Sequence, residues 1–125
     1  MVRIKRIYEA PSADDGERYL VERLWPRGIA KDAAQLAGWL KDVAPSPSLR
    51  QWYGHDPAKW QEFRRRYLEE LTDEQHRPHV EYLRDRMRSG NVTLVFAARD
   101  ERRNSAAVLR DHLVGHASEA EDDTD

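Results

Sequence analysis

Three phrases in the first half of the chain combine aromatic bulk with side chains that bind or move charge. Arg23-Leu24-Trp25-Pro26-Arg27-Gly28 sets two guanidinium groups around a Trp-Pro step. Trp39-Leu40-Lys41-Asp42 places an ammonium beside an indole, and Leu49-Arg50-Gln51-Trp52-Tyr53-Gly54-His55-Asp56 ends on an imidazole next to a carboxylate. Aromatic faces beside cationic groups make a stiff, desolvated surface that suits an anion. His55 is the candidate for proton transfer, since a nearby carboxylate moves an imidazole toward neutral titration. Arg23, Trp25, Arg27, Lys41 and Trp52 are the candidate ligand contacts from these phrases.

Each of these residues also has a plain structural reading. Trp25 can plug a core while Arg23 and Arg27 pair with acids, Lys41 can extend to water, and Asp56 can simply cap a helix. Later in the chain, Arg99, Asp100 and Asn104 follow a strongly apolar run and form a second candidate group, with Asn104 also suited to capping a helix. Ser105 lacks the strained elbow that a nucleophilic serine needs, so that role is rejected. Metal chemistry finds little: His76/His79 and His112/His116 have helical spacing but no accompanying acids in a recognisable pattern. Gly28, Gly38 and Gly54 are isolated, so no glycine-rich phosphate loop is present and no cofactor is expected.

These residues need elements to hold them. Val2 to Tyr8 and Tyr19 to Trp25 read as strands joined through Asp14-Asp15-Gly16, and their short connection favours antiparallel pairing. A short helix near Lys31 to Leu36 and a short strand follow. Ser46 as N-cap, Pro47 at the first helical position and Gly54 after the end bracket a helix. Asp56-Pro57 starts another, with Trp60, Phe63, Tyr67, Leu68 and Leu71 on one face, and Pro78 opens a third that Gly90 closes. Val92 to Ala97 is a strand buried on both faces, and Asn104 caps a last helix over Ala106 to Val114. Strand, polar loop and helix N-terminus in that order is where α/β proteins place ligands.

With 125 residues the chain forms one domain. A charged fraction of 35% and the absence of any long apolar run point away from a membrane, and no apolar leader precedes the first strand, so cytoplasmic residence is expected. Zero cysteines remove disulfides, thiolate metal sites and Cys nucleophiles. The expected boundaries are a domain over 1–116 and an acidic, disordered tail over 117–125. Of the 23 acids, five lie in that tail, leaving 18 against 21 bases and a body near +3. That is too little charge for a dedicated duplex-DNA binder.

The phrases also carry a resemblance. Arg23-Leu24-Trp25-Pro26-Arg27-Gly28, Trp39 to Ser46, Leu49 to Asp56, Thr93 to Asp100 and Asn104-x-Ala106-x-Val108-Leu109 occur in the order found in the YeaO-like family of small bacterial proteins. The resemblance covers roughly residues 2 to 114. That family is catalogued as a domain of unknown function, so the likeness implies a fold and not an activity. The family usually carries His after the Asn of the last phrase; this chain has Ser105, and no role of that imidazole is carried over.

The expectation is therefore a single α/β domain: a small mixed sheet with a buried central strand, flanked by about four helices. It binds a small anion such as phosphate, a nucleotide or a phosphorylated metabolite at one site at the strand ends, formed by Arg23, Arg27, Lys41, His55 and Arg99, with catalysis left open. Two alternatives remain. One is a non-catalytic interaction module built on the tryptophan phrases. The other is a nucleic-acid binder using Trp25, Trp52 and Tyr53 as stacking platforms beside Arg50 and Arg64 to Arg66. Oligomeric state is not legible.

Overall fold

The apolar run near residue 92 becomes the centre of the sheet in the computed structural model of the chain. This strand, β4 (Val92–Phe96), is buried at all five positions. It lies between two parallel neighbours. β1 (Val2–Arg6) pairs with it from Val2–Val92 to Arg6–Phe96, and β2 (Glu17–Leu20) from Glu17–Val92 to Leu20–Val95. A two-residue strand, β3 (Gly38–Trp39), adds parallel to β2 and completes the order β1-β4-β2-β3. The structure describes the backbone of residues 1–122 and the side chains of residues 1–115. The acidic tail expected over 117–125 lies beyond the described side chains, and its last three residues lie outside the described residues altogether.

The sheet is parallel throughout, not mixed, and the antiparallel pairing expected for the first two strands does not form. The expectation assumed that strands close in sequence are neighbours in the sheet, whereas β4 sits between them. A parallel return also needs less chain than a helical crossover suggests. Five strand residues span about 17 Å, and the ten linking residues 7–16 can reach about 33 Å when extended. That link turns at residues 7–9, where the Glu9 N–H reaches the Arg6 carbonyl at 3.0 Å, and again in a 3-10 turn at Ala13–Asp15. It ends at Gly16, whose φ of 64° and contact with Asn91 leave no room for a side chain: a Cβ there would lie 2.1 Å from the Asn91 carbonyl oxygen.

Alternation along β4 divides the core. Val92, Leu94 and Phe96 face the larger cluster with Tyr19, Phe63, Tyr67, Val80, Leu83 and Leu109. Val95 faces the other way, into a smaller cluster of Ile7, Leu20 and Ala34 packed with Trp25, Ile29 and Trp39. Both faces of the strand are thus covered, which is why its sequence does not alternate in polarity.

The local helix signals are realised closely. α1 (Lys31–Ala34) is one turn. α2 (Pro47–Tyr53) starts at Ser46, whose hydroxyl accepts the Leu49 N–H at 3.2 Å, and stops at Gly54 in the left-handed region. Asp56 caps a 3-10 turn at Pro57–Lys59 that runs directly into α3 (Trp60–Glu70). α4 (Arg77–Ser89) packs on β2 through Tyr82, whose hydroxyl lies 3.0 Å from that of Tyr19. α5 (Ser105–Asp122) begins after Asn104 and packs over β1 and β4.

Candidate functional site

Chain direction after each strand decides where a site can lie. β2 sends the chain outward to the edge strand β3, whereas β4 sends it back over β1 through α5. The connections therefore diverge between β2 and β4, and a crevice opens beyond their C-terminal ends. A cavity of about 620 Å3 occupies this place. Its walls come from the residues after β2 and β4, from the α2–α3 junction and from the start of α5.

Four expected residues meet in this cavity: His55, Arg99, Asp100 and Asn104. Two of them are committed to holding the loop. The Asp100 carboxylate accepts the N–H groups of Arg102 and Arg103 at 2.9 Å each, and these bonds hold it below the usual carboxylate range. Asn104 is buried; its amide donates to the Asp100 carbonyl at 2.9 Å and accepts the Ala107 N–H at 2.8 Å. Together they fix the loop that carries Arg99 and Arg103 to the cavity wall. Ser105 also lines the cavity, but no histidine or lysine side chain bonds its hydroxyl among the described residues.

His55 has a left-handed backbone, with φ of 58°, directly after Gly54. Such a conformation is uncommon for a residue with a side chain and recurs at binding sites. Its ring lies 6.1 Å from that of Tyr53. Because the strain belongs to the Cβ, His55→Gly is expected to leave stability within about 0.5 kcal/mol of wild type, whereas His55→Val should lose about 1–2 kcal/mol. Urea denaturation of the two variants checks this; equal losses would remove the strain argument.

The cavity also gathers residues not placed there by sequence. Glu22 projects from just beyond β2, and Arg50 from α2. Burial pushes the Glu22 carboxyl up, opposed by the nearby Arg50 charge and the Ala97 backbone N–H. Arg103 comes from the loop, and Tyr53 stands on Phe63 with ring centroids 4.4 Å apart. Burial, followed by the Asp100 charge, raises the Tyr53 hydroxyl. Arg50, Arg99 and Arg103 form no salt bridge among the described residues. Glu22 had a readable signal, since it follows the buried run Tyr19-Leu20-Val21, but it points to a site only once β2 is known to run parallel to β4.

The remaining expected residues lie elsewhere. Arg23 donates to the carbonyls of Pro45 at 2.8 Å and Ala44 at 3.4 Å and sits 3.7 Å from Asp42, beside a second cavity of about 430 Å3. Trp25 packs edge-on to Trp39 at 5.4 Å and donates to the Ile29 carbonyl at 2.8 Å. Lys41 covers the Trp39 ring at 4.0 Å, and Trp52 lies between Lys59 at 5.0 Å and Arg66 at 4.2 Å. Arg27 is exposed, and its carbonyl accepts the Tyr8 hydroxyl at 3.1 Å. The tryptophan phrases thus line several places and do not converge on one.

No group of three or more His, Cys, Asp or Glu side chains suited to a metal occurs among the described residues, and none of their helices is long and apolar enough to cross a membrane.

A parallel α/β domain with its cavity at the divergence of β2 and β4 is the class that fold and site define. By sequence, residues 1–125 match the family model described as the inactive DUF488-N3 subclade. The chain is 46% identical over 114 residues to the uncharacterised protein Rv3073c of Mycobacterium tuberculosis H37Rv, covering 91% of this chain and 94% of that one. It is equally similar to Mb3100c of Mycobacterium bovis, and 38% identical over 112 residues to the uncharacterised protein YeaO of Escherichia coli K12, covering 90% and 96%. The chain belongs to this YeaO-like family, within DUF488. No solved structure matches it.

Proposed function

We propose that this chain is a binding protein for small anionic ligands, with the ligand held in the cavity between β2 and β4 and not turned over. The observation that carries the reading is the convergence of Arg50, Arg99 and Arg103 on one cavity without salt-bridge partners among the described residues. Arginines lining a concave site and held in no salt bridge leave their forked donors for a carboxylate or phosphate. A volume near 620 Å3 is in the range of small-molecule sites. Binding without turnover accords with the family description as inactive and with a Ser105 hydroxyl that no histidine or lysine side chain bonds among the described residues.

The nucleic-acid alternative is less favoured. Two of its three stacking platforms are already used, since Trp25 packs on Trp39 and Trp52 is covered by two cations.

The test is a thermal-shift titration with inorganic phosphate, pyrophosphate, sugar phosphates and nucleoside monophosphates. At about a hundred times its dissociation constant a ligand adds roughly 2.7 kcal/mol, on the order of 10 °C for a domain of this size. The shift should vanish in Arg99→Ala/Arg103→Ala and persist in Arg23→Ala/Arg27→Ala. A shift that survives the first pair, or silence across the panel with every variant folded, sinks the reading.

A further inference from the structure

The same cavity that presents arginines to an anion also contains a carboxylate, and that combination narrows the ligand. Glu22 lines it and forms no salt bridge among the described residues, although the Arg50 charge acts on it. Asp100, the other acid in the wall, is tied up by two backbone N–H groups of its own loop. Glu22 is half-buried and directly follows the buried run Tyr19-Leu20-Val21, so it lies at the deeper end of the cavity. Arg99 and Arg103 lie on the exposed loop at its mouth.

A carboxylate at the inner end repels a simple anion, so an anion that fills this cavity must bring hydrogen-bond donors to that end. One Glu22 oxygen already takes the Ala97 N–H, yet four acceptor directions on two oxygens leave room for a paired approach. The cavity also has an aromatic wall. Tyr53 stacks on Phe63 at 4.4 Å with an interplanar angle of 25°, and Trp60 backs both rings. Donors inside, a flat ring against the wall and an anion at the mouth describe a nucleotide. Among the bases, guanine has two adjacent parallel donors, N1–H and N2–H, that match the two oxygens of a carboxylate.

Resting on the anion-site reading above, we propose that the ligand is a free guanine mononucleotide, with Glu22 as the specificity-determining residue for the base. The base stacks along Tyr53 and gives N1–H and N2–H to Glu22, and the phosphate meets Arg99 and Arg103. A free mononucleotide fits better than a strand, because the chain carries a formal charge of −2 and the cavity volume suits one nucleotide.

Calorimetric titration of the full chain with guanosine, inosine, adenosine and uridine monophosphates tests this, with inorganic phosphate as the base-free probe. Inosine monophosphate lacks only the 2-amino group, so wild-type protein should bind it at least tenfold more weakly than guanosine monophosphate. Glu22→Gln, of the same shape, should weaken guanosine monophosphate by roughly 10- to 100-fold, the range for a hydrogen bond to a charged group, while phosphate, relieved of a repelling carboxylate, binds no more weakly than to wild type. Equal affinity for the four nucleotides, or a Glu22→Gln variant that keeps the guanosine preference, overturns the base assignment while phosphate binding still supports the anion site. Binding of a guanine-containing oligonucleotide without the free nucleotide overturns it as well. If neither phosphate nor any nucleotide binds, the anion-site reading falls and takes this assignment with it.

Discussion

Asp15→Ala is expected to destabilise the domain by about 3–5 kcal/mol, a loss large enough to leave much of the protein unfolded. Asp15 is fully buried and Arg18 is 3% exposed. The carboxylate takes Arg18 Nη1 at 2.7 Å, Lys5 Nζ at 3.2 Å, and the Ser12 N–H and hydroxyl at 3.1 and 3.0 Å. Arg18 in turn gives Nε to the Ala34 carbonyl at 3.0 Å, while its Nη2 is buried with no partner among the described residues. Removing the carboxylate therefore strands a guanidinium that is already incompletely satisfied. The cost belongs to the orphaned charge and not to the lost pair, so Asp15→Ala/Arg18→Met should recover much of it. Urea denaturation of both variants decides between these origins; a double variant as unstable as the single one would place the loss in the turn itself.

The same cluster has a pH signature. Burial alone would push the Asp15 carboxyl up, but the bonds from Ser12, Arg18 and Lys5 outweigh it and hold it well below the usual carboxylate range. A depressed folded value means that the unfolded chain binds the proton first. The contribution of Asp15 is thus complete above about pH 5, where the unfolded carboxyl is fully ionised, and is lost as the pH falls further toward the folded value. In Asp15→Asn this segment of the stability–pH curve should flatten.

What was legible in advance follows the range of the interactions. Ser46, Asp56 and Asn104 act within three residues of themselves, so their capping roles could be read directly, and the near-continuous apolar run, broken only by Thr93, identified the central strand. Arg23 and Trp25 could not be placed in this way. The partners of Arg23 are carbonyls 21 and 22 residues away, and the edge-on partner of Trp25 is Trp39. Nothing in either phrase specifies those distances. Pairing β1 with β2 also had a consequence for the site. An antiparallel β2 would end at the opposite edge of the sheet from β4, and Glu22 would then have no reason to meet Arg99 or His55. Running β2 parallel brings them to one crevice. A strand order with β4 inserted comes from long-range burial, which the short link between β1 and β2 does not encode.

Phe96→Ala tests whether that inserted strand supports both core and cavity, and it should cost about 3–5 kcal/mol. Phe96 is the last residue of β4 and is 2% exposed in the larger cluster. Its carbonyl accepts the Ile7 N–H at 2.8 Å, which locks β1 in register. The next residues form the cavity floor: the carbonyls of Ala97 and Ala98 accept the Arg6 guanidinium at 3.3 and 2.8 Å, and the Ala97 N–H reaches Glu22. Packing and site therefore meet at one position, and a graded substitution separates them. Phe96→Leu keeps most of the volume and should lose less than about 1.5 kcal/mol, with the response to phosphate unchanged. Calorimetric denaturation of the two variants, with and without phosphate, provides the comparison. A loss below about 1 kcal/mol in Phe96→Ala would mean that β4 is not the packing centre. If Phe96→Leu stays folded yet no longer responds to phosphate, the ring itself helps shape the cavity floor, and the site extends further into the core than its lining residues indicate.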